Sequence, residues 1–131
     1  GSRGDRPIRT RVFENTLIKD CVVFKDTGHV LAITCERAEN TDLMAVSARL
    51  IHREQLLQGG YVGEHSQHIL DYVPVEQSRK DYYKIALIPG TSEILFLTGL
   101  HLSHFRYSFE SIECEAEEVA SFEFESLFRG H

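Results

Sequence analysis

The sequence predicts an all-β protein, an immunoglobulin-like β-sandwich, and three observations carry that expectation. Near its end the chain alternates strictly, through Ile112-Glu113-Cys114-Glu115-Ala116-Glu117 and again through Phe122-Glu123-Phe124-Glu125. Successive side chains on a strand point to opposite faces, so this pattern builds one apolar face and one comb of carboxylates. Runs of β-branched and aromatic residues recur between turn-forming clusters, giving seven to nine short strands. Finally, 131 residues with 42% hydrophobic and 26% charged content make one ordinary globular domain, able to bury a core without disulfide staples.

Along the chain, Gly1-Ser2 reads as a tag remnant, and residues 1–11 form a basic lead ahead of a single β-rich domain over 12–131. A first strand is expected at 12–18. Cys21 to Phe24, the turn Lys25-Asp26-Thr27-Gly28 and His29 to Cys35 read as a hairpin, because Asp-Thr-Gly tolerates the positive φ of a tight turn. Residues 43–58 support two readings. Thr41 or Asp42 caps a helix with the face Leu43, Val46, Leu50 and Leu57, closed by Gly59-Gly60. Against this, Met44-Val46-Ala48-Leu50 alternates as a strand ending near His52. The first reading gives an α+β fold with a helix packed on an antiparallel sheet.

Further on, His68 to Val73 forms a strand stopped by Pro74, and 75–81 forms a loop. Tyr82 to Ile88, the turn Pro89-Gly90-Thr91-Ser92 and Glu93 to Thr98 form the clearest hairpin. Its second arm is apolar on both faces, which places it centrally in a sheet. Leu102 to Phe109 and the acidic segment complete the set. In that segment Ile112, Cys114, Ala116, Phe122 and Phe124 are expected to face the core.

Charge is uneven within a net of −6. Arg3, Arg6, Arg9 and Arg11 against Asp5 leave the lead basic, whereas residues 108–131 carry seven Glu against Arg129. Arg6, Arg9 and Arg11 are therefore candidates for contact with an anionic surface such as a membrane or partner. Glu113, Glu115 and Glu117 are candidates for a cation or a basic partner, since clustered carboxylates raise local counter-ion density; the bland alternative is a solvated face. The whole is too acidic for a nucleic-acid domain.

Two His-x-x-His pairs, His65/His68 and His101/His104, are the candidates for a metal. Positions i and i+3 of a strand face opposite sides, so neither pair chelates unless its segment turns. Cys21, Cys35 and Cys114 lack metal-like spacing and read as reduced thiols of a cytosolic protein. Nucleophile elbows, phosphate-cradling loops and calcium loops are all missing, so no enzyme activity and no cofactor are expected. The alternatives kept are a stand-alone α+β adaptor and a metal-binding enzyme built on the histidine pairs. The function expected is a non-catalytic regulatory or interaction module, homo-oligomeric or bound to a protein partner.

Arg6-Pro7-Ile8-Arg9, Val12-Phe13, the turn Lys25 to Gly28 with Val30-Leu31-Ala32-Ile33, Ser47-Ala48-Arg49-Leu50-Ile51, and Glu93 to Gly99 follow one another in a suggestive order. This series resembles the cytoplasmic C-terminal domain of inward-rectifier potassium channels, over the first half of the chain plus one late strand. The family's Trp-Gly has no counterpart, because the chain holds no Trp. The resemblance implies an immunoglobulin-like sandwich that tetramerises on the cytoplasmic side of a membrane pore, with Arg6, Arg9 and Arg11 at anionic lipid. Glu113, Glu115 and Glu117 would then line a cation vestibule, on electrostatic grounds alone.

Overall fold

The computed structural model describes residues 16–52, 66–109 and 115–124. Along them run β1 (Leu17–Phe24), β2 (His29–Arg37), β3 (Leu43–His52), β4 (Ser66–Pro74), α1 (Val75–Lys80), β5 (Tyr83–Leu87), β6 (Glu93–Thr98), β7 (His101–Ser108) and β8 (Glu115–Glu123). The strands form two antiparallel four-stranded sheets, ordered β1-β2-β3-β4 and β5-β6-β7-β8. The fold is therefore mostly β and sandwich-like. One core draws on both sheets, with Leu31, Ile33, Val46 and Leu50 from the first and Ile94, Phe96, Phe105 and Tyr107 from the second. Phe96 is fully buried and meets Phe105 edge-on, with ring centroids 5.5 Å apart.

Local turn chemistry sets the two hairpins. Gly28 adopts φ +77°, a left-handed conformation costly for residues with a Cβ, and its N–H donates to the Phe24 carbonyl at 2.9 Å. In the other hairpin, Gly90 at φ +76° follows Pro89, and the Thr91 hydroxyl donates to the Ile88 carbonyl at 2.7 Å. Among the described residues the first strand begins at Leu17, and the expected strand at 12–18 overlaps them only at its end. As its apolar faces suggest, β6 lies inside its sheet, between β5 and β7.

The helix read at 43–58 is corrected by β3, which is paired along its length with β2 and over most of it with β4; residues 53–58 lie outside the described residues. Met44, Val46, Ala48 and Leu50 share the core face with Leu31, Ile33 and Cys35 of β2. On the other face Ala45, Ser47, Arg49 and Ile51 are buried as well, so β3 is covered on both sides. A strand in that position satisfies its backbone from both neighbours, and this outweighs the helix propensity of its Ala, Leu and Met. Arg49, 3% exposed, pairs with the Glu36 carboxylate, and its Nε donates to Thr34 Oγ1 at 3.2 Å. These contacts match the cost of burying a guanidinium with charge-assisted partners.

The loop expected at 75–81 is corrected to α1 over Val75–Lys80. Pro74 immediately precedes it, Glu76 lies in its first turn and Arg79 and Lys80 lie in its last, each suited to the helix dipole. Ser78 is buried, and its hydroxyl donates to the Val75 carbonyl at 2.6 Å.

A third correction concerns the acidic strand. Between His104 and Phe105 the pairing of β7 with β8 slips by one residue at Val119, a β-bulge. Ala116 packs against the core, as expected, but past the bulge the alternation changes sides. Phe122 turns outward and is 55% exposed, instead of facing the core. Ile112, Glu113 and Cys114 lie outside the described residues.

Candidate functional site

The outward face of the second sheet presents its residues in crosswise rows fixed by strand register. Lys84, Leu97, Leu102 and Phe122 stand side by side across the four strands. The next row is Ala86, Leu95, His104 and Ala120, and the third is Glu93, Arg106 and Glu117. Leu95, Leu97 and Leu102 are half-buried. An antiparallel sheet facing water on one side ordinarily carries polar residues there. Here two rows of mainly apolar side chains are bordered by charge instead.

The third row answers how the acidic comb is tolerated. Arg106 stands between two carboxylates, 3.5 Å from Glu93 and 3.8 Å from Glu117, and His104 Nε2 lies 2.9 Å from Glu93 Oε1. Exposed pairs of this kind contribute about 0–1 kcal/mol each, so they fix arrangement more than stability. Glu115 is exposed opposite Ser108 and completes the acidic corner beside Glu117. Lys84 occupies the diagonally opposite corner, on β5. Of the comb named from the sequence, Glu115 and Glu117 therefore share one face, and Glu113 lies outside the described residues. Arg6, Arg9 and Arg11 lie outside them too.

The histidines do not converge. His65 lies outside the described residues, and His68 meets the Phe105 ring edge-on at 4.8 Å. His101 and His104 lie on opposite faces of β7, His101 against Glu123 and His104 against Glu93. Among the described residues, no group of three or more His, Cys, Asp or Glu is arranged to hold a metal ion.

The thiols differ in environment. Cys21 is exposed on β1 opposite Ala32, while Cys35 is buried on β2 opposite Leu17, so register keeps the two apart. Burial pushes the Cys35 thiol up, and the nearby Lys19 charge only partly offsets it. That suits a core thiol rather than a nucleophile.

Sequence reasoning misses Leu95, Leu97, Leu102 and Phe122 as a surface. Leu95 and Leu97 lie on the hairpin arm read as central, Leu102 lies on the strand after it, and Phe122 is displaced by a bulge that leaves no mark in local composition. Comparison with protein-family models, with curated proteins and with solved structures finds no match for the chain. Among the described residues no helix is long and apolar enough to cross a membrane.

Proposed function

We propose that the chain is a non-catalytic interaction module that pairs with a second copy of itself through the outward face of β5-β6-β7-β8. The observation carrying this reading is the row Leu97, Leu102 and Phe122 on a sheet face where water would favour polar side chains. The choice of occupant rests on charge. Lys84 at one corner and Glu115 with Glu117 at the diagonal one make the face self-complementary. A two-fold axis lying in the interface, across that diagonal, brings Lys84 of each copy toward the acidic corner of the other.

The immunoglobulin-like part of the expected fold is kept here only at the level of two packed sheets. The described strands run consecutively within each sheet, whereas an immunoglobulin domain interleaves them between sheets. The potassium-channel resemblance, with its cytoplasmic placement and lipid contact at Arg6, Arg9 and Arg11, rests on the motifs alone and adds nothing to this proposal.

Light scattering over a concentration series tests it. The wild-type chain is expected to give a dimer mass that falls toward the monomer on dilution, and Leu102→Asp a folded monomer. Lys84→Glu is expected to weaken pairing, and adding Glu117→Lys to restore it, a reciprocity that misfolding cannot imitate. A wild-type monomer at every concentration overturns the proposal.

A further inference from the structure

At the end of the sandwich where β6 turns into β7, the gap between the sheets is lined by carboxylates, an amide, an imidazole and a hydroxyl, and among the described residues by no lysine or arginine. Register places Tyr83, Thr98, His101 and Glu123 in one crosswise row on the inner face of the second sheet. Across the gap, Asp71 of β4 pairs with the core-facing Val46 and so points to the same space. Asp81, just after α1, closes the side. The resulting cavity, about 250 Å3, is bounded by Asp71, Gln77, Asp81, Thr98, His101 and Glu123 around the turn residues Gly99 and Leu100.

Two features make this more than a cluster of acids. Thr98 is 6% exposed and lines the cavity, yet its Oγ1 has no hydrogen-bond partner among the described residues. A buried hydroxyl without a partner costs free energy that a donor arriving from the cavity would recover. The turn is also shaped around the acid. Gly99 holds φ +64°, and a Cβ there would stand 3.0 Å from Asp81 Oδ2, so the main chain passes directly against that carboxylate.

The neighbouring groups leave the negative charge largely unmet. Asp71 Oδ1 accepts the N–H of Tyr72 at 2.7 Å, and Asp81 Oδ2 accepts from Gln77 Nε2 at 3.4 Å, both neutral donors. Among the described residues Glu123 pairs with His101. Lys19 lies over the Tyr83 ring, 5.6 Å from its centroid, and does not line the cavity. The carboxylates come from three separate elements and surround a volume instead of converging on one point, consistent with the lack of a metal arrangement.

The geometry points to a binding site for the guanidinium of an arginine side chain presented by a partner polypeptide. A guanidinium is planar, offers five N–H donors in a fixed fork and is less strongly hydrated than an ammonium. It can donate to Asp71 and Asp81 on opposite walls while a further N–H reaches the Thr98 hydroxyl. A lysine ammonium, compact and strongly hydrated, spans such a gap less well. The site lies on the inner face of the second sheet and is independent of the outward face proposed above for self-association.

The test is an amide NMR titration of the full 131-residue chain with N-acetyl-arginine amide at low salt. Saturable shifts are expected at Gly99, Leu100 and Asp81, with no response to the neutral citrulline analogue and a weaker one to N-acetyl-lysine amide. Asp71→Asn, at an exposed position, is expected to weaken binding about tenfold, the usual consequence of losing one charged hydrogen-bond partner. Thr98→Val is expected to weaken binding while leaving thermal stability unchanged or higher, since it removes an unpartnered hydroxyl. Equal shifts with citrulline, equal binding by lysine, or undiminished binding in Asp71→Asn overturns the assignment.

Discussion

The Asp20 carboxylate crosses from one sheet to the other, where its Oδ2 accepts the backbone N–H of Ile85 at 2.9 Å. Its second oxygen accepts the N–H of Cys21, also at 2.9 Å. The bulge between Ile18 and Asp20 supplies the geometry, and β5 is an edge strand whose outward N–H groups would otherwise lack a partner. One side chain thus closes the seam between β1 and β5. Asp20→Ala is expected to lower unfolding free energy by about 1–3 kcal/mol, the range for stranding a part-buried donor. Urea denaturation checks this, and Asp20→Asn, which keeps an acceptor oxygen, is expected to lose less.

Arg49 sets a different test. Its guanidinium is buried against Glu36 and Thr34, so Glu36→Ala strips a charge partner from a group that cannot reach water. Breaking buried pairs from one side costs about 3–5 kcal/mol, and the partial exposure of Glu36 places this case at or below the lower end. Equilibrium unfolding of Glu36→Ala measures it; an unchanged midpoint would remove the pair from any account of stability.

Two aromatic truncations separate core from surface. Phe96→Ala empties a fully buried site and is expected to cost about 3–5 kcal/mol. Phe122→Ser, on the outward face, is expected to change monomer stability by less than about 0.5 kcal/mol. Thermal unfolding at a concentration where the chain is monomeric discriminates them. A large loss at Phe122 would place that ring in the core after all.

Stability is expected to fall in alkali, and the sign follows from three groups. Burial raises the Cys35 thiol and the Tyr107 phenol above their ordinary values, and raises the Tyr83 phenol together with the nearby Cys35 and Asp81. The unfolded chain releases these protons first, so it binds fewer than the folded chain once pH passes the unfolded values of about 8.5 for Cys and about 10 for Tyr. The stabilisation is complete below those values and is lost as pH climbs toward the raised folded ones. Denaturation midpoints from pH 7 to 11 check this, and Tyr107→Phe is expected to flatten the decline above about pH 10.

Exposure also orders the thiols. Cys21 is expected to react with an aromatic disulfide reagent in the folded protein, and Cys35 only on unfolding. Mass spectrometry of the labelled chain identifies the site. Prompt labelling of Cys35 would show that its burial is transient.

What the sequence discloses depends on how local the cause is. The turns at Lys25 to Gly28 and Pro89 to Ser92 are legible because glycine and proline act within a few residues. The central place of β6 is legible because both of its faces are apolar. For β3 the same reasoning fails. Ser47 and Arg49 occupy the second face, and their burial is decided by distant parts of the fold. Asp71, Asp81 and Thr98 are equally silent in sequence, since three elements bring them together. Phe122 is misread for a geometric reason: a periodicity argument assumes that register never slips, and Val119 breaks that assumption.

That slipped residue has a consequence for how the molecule behaves in a crowd. Among the described residues β8 is an edge of its sheet and carries Val119 and Phe122 in exposed positions, an invitation for another chain to extend the ladder. A bulge twists the edge out of the flat geometry that extension needs, and Glu115, Glu117, Glu118 and Glu123 repel a like-charged neighbour along it. Removing Val119 would straighten the strand and keep Phe122 on the outward face, opposite Leu102. It would also leave an even, uninterrupted edge, and the price of a cleaner alternation would be a chain prone to fibrils.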